Sequence, residues 1–423
     1  MTVEEILNCS FSERKKSHHD AGMAFKKHIR GPMPISSALA KPNTDTGKKA
    51  IYIHVPYCKK ICSFCSMRRS INPVPDDYAE LVVKQIKKYG KTEYVQSSVI
   101  NSVYFGGGTP TALPSEQLAK ILQALYNNFN IADDAEISVE TTLTELDGEN
   151  EKLKTLFDNS VNRLSIGVQT FDNSGREQLG RLGTGEFAEE IIKKAFTTGF
   201  RNVNIDIIYN YMNETKEMLQ KDIQRAAALD IAGFSFYSLI VMGKTKIGSK
   251  IDKESYTKKT VESDAMFFST AVTEARKNGY DFLEITKLVK PNRDNYEYIR
   301  TSHQAGDVFP VGAGAGGNIN STAFMIPLKK QDFQNHVDNF GKLQGMSINP
   351  AYKRIKKFSG LMQEGIIEIP LLTEDEHKKI EAKLDTFKAE GLVQNKNGIF
   401  KFTDKGFFWG NNIASEIIKT IYQ

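Results

Sequence analysis

The sequence predicts an α/β protein built on a parallel sheet, and three observations carry that reading. From Ala50 onward, six short apolar runs of strand character alternate with stretches of helical periodicity. Each run ends in polar or glycine residues, which is the layout of one shared site at the carboxyl ends of parallel strands. Three cysteines, Cys58, Cys62 and Cys65, stand just beyond the first run. Periodicity alone leaves a doubly wound sheet and a barrel both open.

Taken in order, residues 1–49 show no clean periodicity, include Gly31-Pro32-Met33-Pro34, and end in a polar connector over 41–49. Strands are expected at 51–55, 100–105, 136–140, 162–168, 202–208 and 233–239. Helices are expected between them, at 77–89, 115–129 and 215–229, where apolar residues recur every three or four positions. Pro75-Asp76 and Pro114-Ser115 mark helix starts. The strand ends bring in Cys58, then Gly106-Gly107-Gly108-Thr109, then Glu140, Gln169, Asp206 and Ser238. After about residue 245 the rhythm breaks. The run Gly312-Ala313-Gly314-Ala315-Gly316-Gly317 permits close backbone approach to a ligand or neighbour. It has no Walker-type lysine and opens no βαβ unit, which argues against a nucleotide-phosphate loop. The tail reads as a helix over 373–390, a turn at Gly391-Leu392-Val393 and a short hairpin over 398–402, a winged-helix-like α+β unit. The expected division is a basic extension over 1–49, an α/β domain over 50–245 and a C-terminal region over 246–423.

Apolar residues make up 40% of the 423 positions and charged ones 25%, which excludes a disordered chain. No stretch approaches the roughly 18 apolar residues of a membrane span. The acidic start Met1-Thr2-Val3-Glu4-Glu5 carries no apolar signal core. A cytoplasmic protein without membrane insertion is expected. The net charge of +5 calls for no nucleic-acid partner. Basic residues do gather near the N-terminus: Arg14, Lys15, Lys16, Lys26, Lys27 and Arg30, with His18, His19 and His28, against Glu13 and Asp20. Such an arm either meets anions or is a solvated, partly mobile terminus.

Four cysteines in so long a chain are not a disulfide framework. Cys58-x3-Cys62-x2-Cys65 offers three thiolates with Cys9 far upstream, whereas structural zinc needs a fourth ligand. A [4Fe–4S] cluster can take one thiolate on each of three irons and leave the fourth iron open to a small molecule. This spacing is associated with S-adenosylmethionine (SAM) as that molecule. SAM presents an amino group, a carboxylate, a ribose diol and an adenine. Glu140 suits a ribose hydroxyl, Gln169 both donates and accepts, Arg181 can neutralise a carboxylate, and Asp206 can accept from an amino or hydroxyl group. Taken singly, Gln169 and Asp206 read as ordinary strand-end residues, Arg181 as a surface residue and His54 as a hydrogen-bonded strand residue.

Four ordered motifs resemble a known family. Tyr52-Ile53-His54-Val55-Pro56-Tyr57-Cys58 with the cysteines and Phe64, then Phe105-Gly106-Gly107-Gly108-Thr109-Pro110-Thr111, then Asn162-Arg163-Leu164-Ser165-Ile166-Gly167-Val168-Gln169, then Asp206-Ile207-Ile208-Tyr209, are similar to the signatures of radical SAM enzymes related to oxygen-independent coproporphyrinogen III dehydrogenase. The resemblance runs from about Ala50 to the C-terminus. It implies a partial (β/α)6 barrel followed by a family-specific domain. It also implies a [4Fe–4S] cluster on Cys58, Cys62 and Cys65, and SAM contacts at Tyr52, Gly106, Gly107, Gly108, Thr109, Glu140, Gln169, Arg181 and Asp206.

Within that family the chain is most like the heme-degrading anaerobilin synthase branch, in the arm ending Arg30-Gly31-Pro32-Met33-Pro34 and in the Gly-Ala-Gly-Ala-Gly-Gly run. That branch implies radical SAM C-methylation and opening of the porphyrin, a linear tetrapyrrole and iron as products, and a flavodoxin-like electron donor. The dehydrogenase is the first alternative, but its motif usually carries a further cysteine where Met67 stands. A non-catalytic heme chaperone is the second, although those chains usually begin almost at the barrel. Heme propionates call for cations beside an apolar wall. Arg68 and Arg69, directly after the cluster loop, are the expected substrate contacts, with the arm from Arg14 to Arg30 as a lid.

Overall fold

A computed structural model describes residues 1–17, 28–67, 73–146, 151–243, 245–250 and 261–422. Its strands are β1 Ile29–Pro34, β2 Lys49–Val55, β3 Val99–Gly107, β4 Asn130–Thr142, β5 Arg163–Gln169, β6 Asn202–Tyr209, β7 Gly233–Ser238, β8 Asp281–Glu284, β9 Lys287–Val289, β10 Asp307–Val311, β11 Gly316–Ile319, β12 Thr322–Met325 and β13 Gln344–Ile348. They form a single 13-stranded sheet in the order β1-β13-β12-β11-β10-β2-β3-β4-β5-β6-β7-β9-β8. The six expected strands are β2 to β7, each parallel to the next. They are buried on both faces, completely so along β5, which is why they read as nearly continuous apolar runs.

Helices cover the outer face of this partial barrel. Tyr78–Tyr89 turns Tyr78, Leu81, Val82, Gln85, Ile86 and Tyr89 to the sheet, the stripe that its periodicity predicts. Gly185–Thr198 starts where the Thr184 side chain accepts from the Phe187 N–H, and it stops at Gly199, whose φ of 122° suits only glycine. Lys216–Ala228 is capped in the same way by Thr215.

A seventh parallel strand was not expected. β10 returns from the C-terminal region to lie beside β2, pairing Asp307 with Lys49 through to Val311 with Ile53. It is only five residues long and contains Pro310, so it carries little strand signal. The sheet thus continues across residue 245 and, through β1, into the N-terminal extension. The glycine run leads directly out of β10. Gly312, at φ 87°, lies where a Cβ would sit 2.5 Å from the His54 carbonyl, and its N–H donates to Gln85 Oε1 at 2.8 Å. The run approaches a neighbouring strand of the protein.

The C-terminal unit holds the three-stranded antiparallel sheet of β14 Ile366–Glu368, β15 Val393–Lys396 and β16 Ile399–Phe402 with the helices Glu374–Ala389 and Gly410–Tyr422. A Thr373/Glu376 capping box starts the first helix. The chain's first residues lock onto this unit: Trp409 Nε1 donates to the Ile6 carbonyl at 2.8 Å, and Phe11 packs 5.4 Å from the Trp409 ring.

The free basic arm requires correction. Arg14 Nε donates to the Phe408 carbonyl at 3.0 Å, and its Nη1 donates to Tyr209 Oη at 2.9 Å. Lys16 Nζ lies 2.8 Å from Asp264 Oδ2 and 2.8 Å from Ser238 Oγ. These cations are committed to the protein's own carboxylate because a buried Asp264 needs a partner. His18, His19, Lys26 and Lys27 lie outside the described residues. Among the described residues no helix is long and apolar enough to cross a membrane.

The end of the barrel where strands begin is closed by charge. Asp294 accepts from Arg163 Nε at 2.9 Å and Nη2 at 3.0 Å, with Lys287 Nζ 3.3 Å away, all at most 1% exposed. The two cations hold the Asp294 carboxyl well below the usual carboxylate range, against the opposing effect of burial. Asp294→Ala strands both cations in the core and should cost about 3–5 kcal/mol. Urea unfolding of the two proteins at one pH measures the difference.

Candidate functional site

At the opposite end, where the strands finish, a cavity of about 550 Å³ opens. Cys58, Cys62, Cys65, Gly107, Gly108, Thr109, Glu140, Gln169, Arg181 and Asp206 all line it, so the strand-end residues read from sequence converge on one space. Tyr52 and Gly106 stand just behind the wall. Tyr52 donates or accepts at His54 Nδ1, 2.8 Å away, and stacks on Tyr298 at 5.6 Å. A Cβ on Gly106 would lie 3.1 Å from each of Glu140 Oε2, Tyr104 and Tyr52. Arg68 and Arg69 lie outside the described residues.

The glycine motif builds the cysteine loop. Gly108 N–H donates to the Val55 carbonyl and Thr109 N–H to the Tyr57 carbonyl, both at 2.8 Å. A side chain on Gly108 would come within 2.6 Å of the Tyr57 carbonyl, and one on Gly107, at φ 112°, within 2.6 Å of the His54 ring. Neither position admits a Cβ. Thr109 Oγ1 then reaches Cys58 Sγ at 3.5 Å.

The far side of the loop is held by the segment after β5. Ser63 N–H donates to the Leu179 carbonyl at 3.1 Å, Ser63 Oγ to the Gln178 carbonyl at 2.8 Å, and Arg181 Nη1 to Cys62 Sγ at 3.0 Å. Arg181 Nη2 also donates to the Gly167 carbonyl. Its buried Nε makes no hydrogen bond among the described residues. Gln169 ends β5 with φ 74° at a register shift, and this turns its side chain into the barrel.

Sequence reasoning missed Arg176. It is 1% exposed and donates to four carbonyls, those of Val168, Thr170, Leu182 and Gly183, shaping the turn that presents Gln169 and Arg181. Burial and the nearby Arg181 pull its pKa down to about 10. A surface helix arginine and this one look alike in sequence; only the density of carbonyls around it distinguishes them.

Two carboxylates share the lumen. Glu140 Oε1 accepts from Tyr104 Oη at 2.6 Å and Oε2 from the Gly107 N–H at 3.3 Å. Burial nevertheless pushes its pKa up to about 7, and the charge of Asp206 adds to the rise. Burial likewise raises Asp206, opposed by Lys287 and by a hydrogen bond from Ser235. Both are desolvated acceptors facing a space that can take hydroxyl or amino donors.

No group of three or more His, Cys, Asp or Glu side chains among the described residues is gathered tightly enough to hold one metal ion. Three thiols line the cavity while Cys9 packs against the core, so the set supplies one thiolate for each of three irons and lacks the fourth ligand of structural zinc. The spare donor of Arg181, the desolvated carboxylates and the glycine-lined wall fit a small zwitterionic ligand beside it.

Comparison with known proteins agrees. Residues 52–226 match the model of the radical SAM superfamily. The anaerobilin synthase of Escherichia coli O157:H7 is 25% identical over 408 residues, covering 93% of this chain and 91% of that protein. The heme chaperone HemW of Bacillus subtilis (strain 168) is 30% identical over 278 residues, 65% of this chain and 72% of the relative. The solved coproporphyrinogen III oxidase (HemN) of Escherichia coli, a radical SAM enzyme, superposes with a TM-score of 0.76 at 20% identity, covering 92% of this chain and 93% of that one. Barrel, cysteine loop and ordered strand-end motifs together make this chain a member of the radical SAM superfamily, among its heme- and porphyrinogen-related proteins, with a [4Fe–4S] cluster and SAM as its cofactors.

Proposed function

We propose that this chain degrades heme without oxygen, as a radical SAM C-methyltransferase that opens the porphyrin to a linear tetrapyrrole and releases iron. The observation that carries the reading is the apolar rim of the cavity. Met67, Leu182, Tyr237, Ile240 and Met242 line it and are 38–53% exposed, beside the three thiols. Apolar side chains left open to water around one mouth fit a large flat apolar ligand. Alignment with anaerobilin synthase over nearly the whole chain supports the choice among related activities. A flavodoxin-like donor and a cytoplasmic setting accompany this reading.

Cys58, Cys62 and Cys65 would hold the cluster, and SAM would lie against Gly107, Gly108, Thr109, Glu140, Gln169, Arg181 and Asp206, with Tyr52 and Gly106 supporting that wall. The bound cofactors supply the one-electron chemistry and the methyl group. The chain's own contribution is placement and electrostatics. Arg181 sets a positive charge beside Cys62, Glu140 and Asp206 accept hydrogen bonds, and the apolar rim would exclude water once a flat ligand covers it.

Anaerobic incubation of the reconstituted, reduced protein with SAM and heme tests the reading. Loss of the Soret band with a methylated linear product is the expected result. Stable heme binding without SAM turnover would instead select the chaperone activity, which the 30% identity to HemW favours as the second reading. Turnover of coproporphyrinogen alone would select the dehydrogenase.

Serine at Cys58, Cys62 or Cys65 should abolish reductive SAM cleavage and lower bound iron. Cys9→Ser should leave both intact, because Cys9 packs against the apolar core away from the cavity. Iron analysis and 5′-deoxyadenosine release decide it.

Glu140 makes the stability of the SAM-free protein depend on pH in a definite direction. Its folded pKa of about 7 exceeds the reference 4.5, so between those values the folded state holds a proton that the unfolded chain releases. The contribution is full below about pH 4.5 and is lost as pH rises through about 7. Urea midpoints at pH 5 and pH 8 should therefore differ less in Glu140→Gln than in the parent. The same variant should bind SAM at least about tenfold more weakly, having lost a charged acceptor.

A further inference from the structure

The walls of the cavity differ in character. The side built from the ends of β5 to β7 presents Leu182, Tyr237, Ile240 and Met242, all apolar or aromatic and partly exposed. The side built from the cysteine loop and the end of β4 carries the apolar Phe64 and Met67 as well, and it alone adds the charged Lys59, Lys60 and Glu145. Among the described residues lining the cavity, the cations are Lys59, Lys60 and Arg181, and Arg181 is already committed to the Gly167 carbonyl and the Cys62 thiol.

We propose that Lys59 and Lys60 anchor the propionate edge of the tetrapyrrole, and that Glu145 holds Lys59 until a propionate displaces it. This rests on the tetrapyrrole reading above. Lys59 Nζ lies 3.2 Å from Glu145 Oε2, with the lysine side chain 65% exposed and the carboxylate 3% exposed. An exposed lysine in such a bridge gains little from it. Glu145 also has a second cation nearby. Lys152 Nζ stands 3.9 Å from the same oxygen and is fixed by donating to the Thr111 carbonyl at 2.5 Å. Releasing Lys59 therefore leaves the buried carboxylate facing Lys152 at 3.9 Å, while Lys59 exchanges one carboxylate partner for another. Lys60 is exposed beside it and enters into no ion pair among the described residues. A flat amphiphile with an anionic edge then has one orientation that satisfies both walls. Its faces lie towards β5 to β7, and its carboxylates point to the cysteine loop.

The test compares ferric heme with its dimethyl ester, titrated into the full-length, cluster-reconstituted protein. The ester keeps the macrocycle and removes the charges. In the parent, heme should bind about tenfold or more tighter than the ester. In Lys59→Ala/Lys60→Ala that preference should collapse while ester affinity holds. In Glu145→Gln, heme affinity should rise several-fold and ester affinity should stay, since the competitor for Lys59 has lost its charge. A lysine variant that keeps the parent's heme-to-ester ratio overturns the anchor. One that loses both ligands equally shows a structural role and overturns it too. A parent that binds neither ligand refutes the tetrapyrrole reading itself, an outcome distinct from the other two.

Discussion

The position of the cysteine loop depends on two short backbone hydrogen bonds, from Gly108 to Val55 and from Thr109 to Tyr57. A cluster-bearing loop has little apolar content with which to fold itself, so its geometry must be borrowed from the sheet. Here β3 lends it: it pairs with β2 as far as Gly107 beside Val55 and then passes into a glycine turn beneath the loop, where a side chain on Gly108 would collide with the Tyr57 backbone. The segment after β5 supplies the opposing support through Ser63 and Arg181, and Ile247 adds a third tie by donating to the Ser63 carbonyl. Three segments that are remote in sequence therefore fix one loop. A change in any of them moves the thiols.

Charge is arranged along the barrel axis. At the closed end, Arg163 and Lys287 surround Asp294, and Tyr296 covers Arg163 with its ring 4.3 Å away. Above them, Tyr104 and Tyr298 stack at 4.5 Å and separate this network from Glu140, to which Tyr104 donates. Below Glu140 the lumen is thus packed with stacked aromatic rings. That is why Glu140 and Asp206 sit high in pKa and why each has acceptor capacity to offer a ligand. The buried cations underneath moderate the rise without neutralising the carboxylates.

The parts of this design that were readable from sequence are those governed by local rules. The six strands β2 to β7 follow from two-sided burial, and the helices Tyr78–Tyr89, Ser115–Asn128 and Lys216–Ala228 follow from apolar residues recurring every three or four positions. What escaped was set by partners distant in the chain. β10 is short and interrupted by Pro310, and nothing in its own residues says that it returns to pair with β2. Arg176 reveals itself only by the four carbonyls around it. The glycine run signals a close approach in sequence, but that Gly312 and Gly314 approach His54 is set by the return of β10.

The N-terminal cations show how the same charge pattern acquires opposite meanings. Free in solution, Arg14 and Lys16 would be candidates for capturing an anionic ligand. In the fold, Asp264 occupies both, together with Ser238 and Tyr209 at the ends of β7 and β6. Asp264 is buried on the helix Val261–Lys277 and could not remain ionised there alone, so the two cations lower its pKa against the effect of burial. The consequence reaches the cavity, because Ser238 lines it and donates to Asp264 at 2.6 Å. The extension thereby supports the wall on the β7 side from behind, through Ser238, next to the apolar stretch of Tyr237, Ile240 and Met242. A partial barrel leaves this flank without a further parallel strand, since β7 is followed in the sheet by the antiparallel β9. That pairing covers only Gly233 to Ser235, and at the free carboxyl end of β7 it is Lys16 that donates to Ser238.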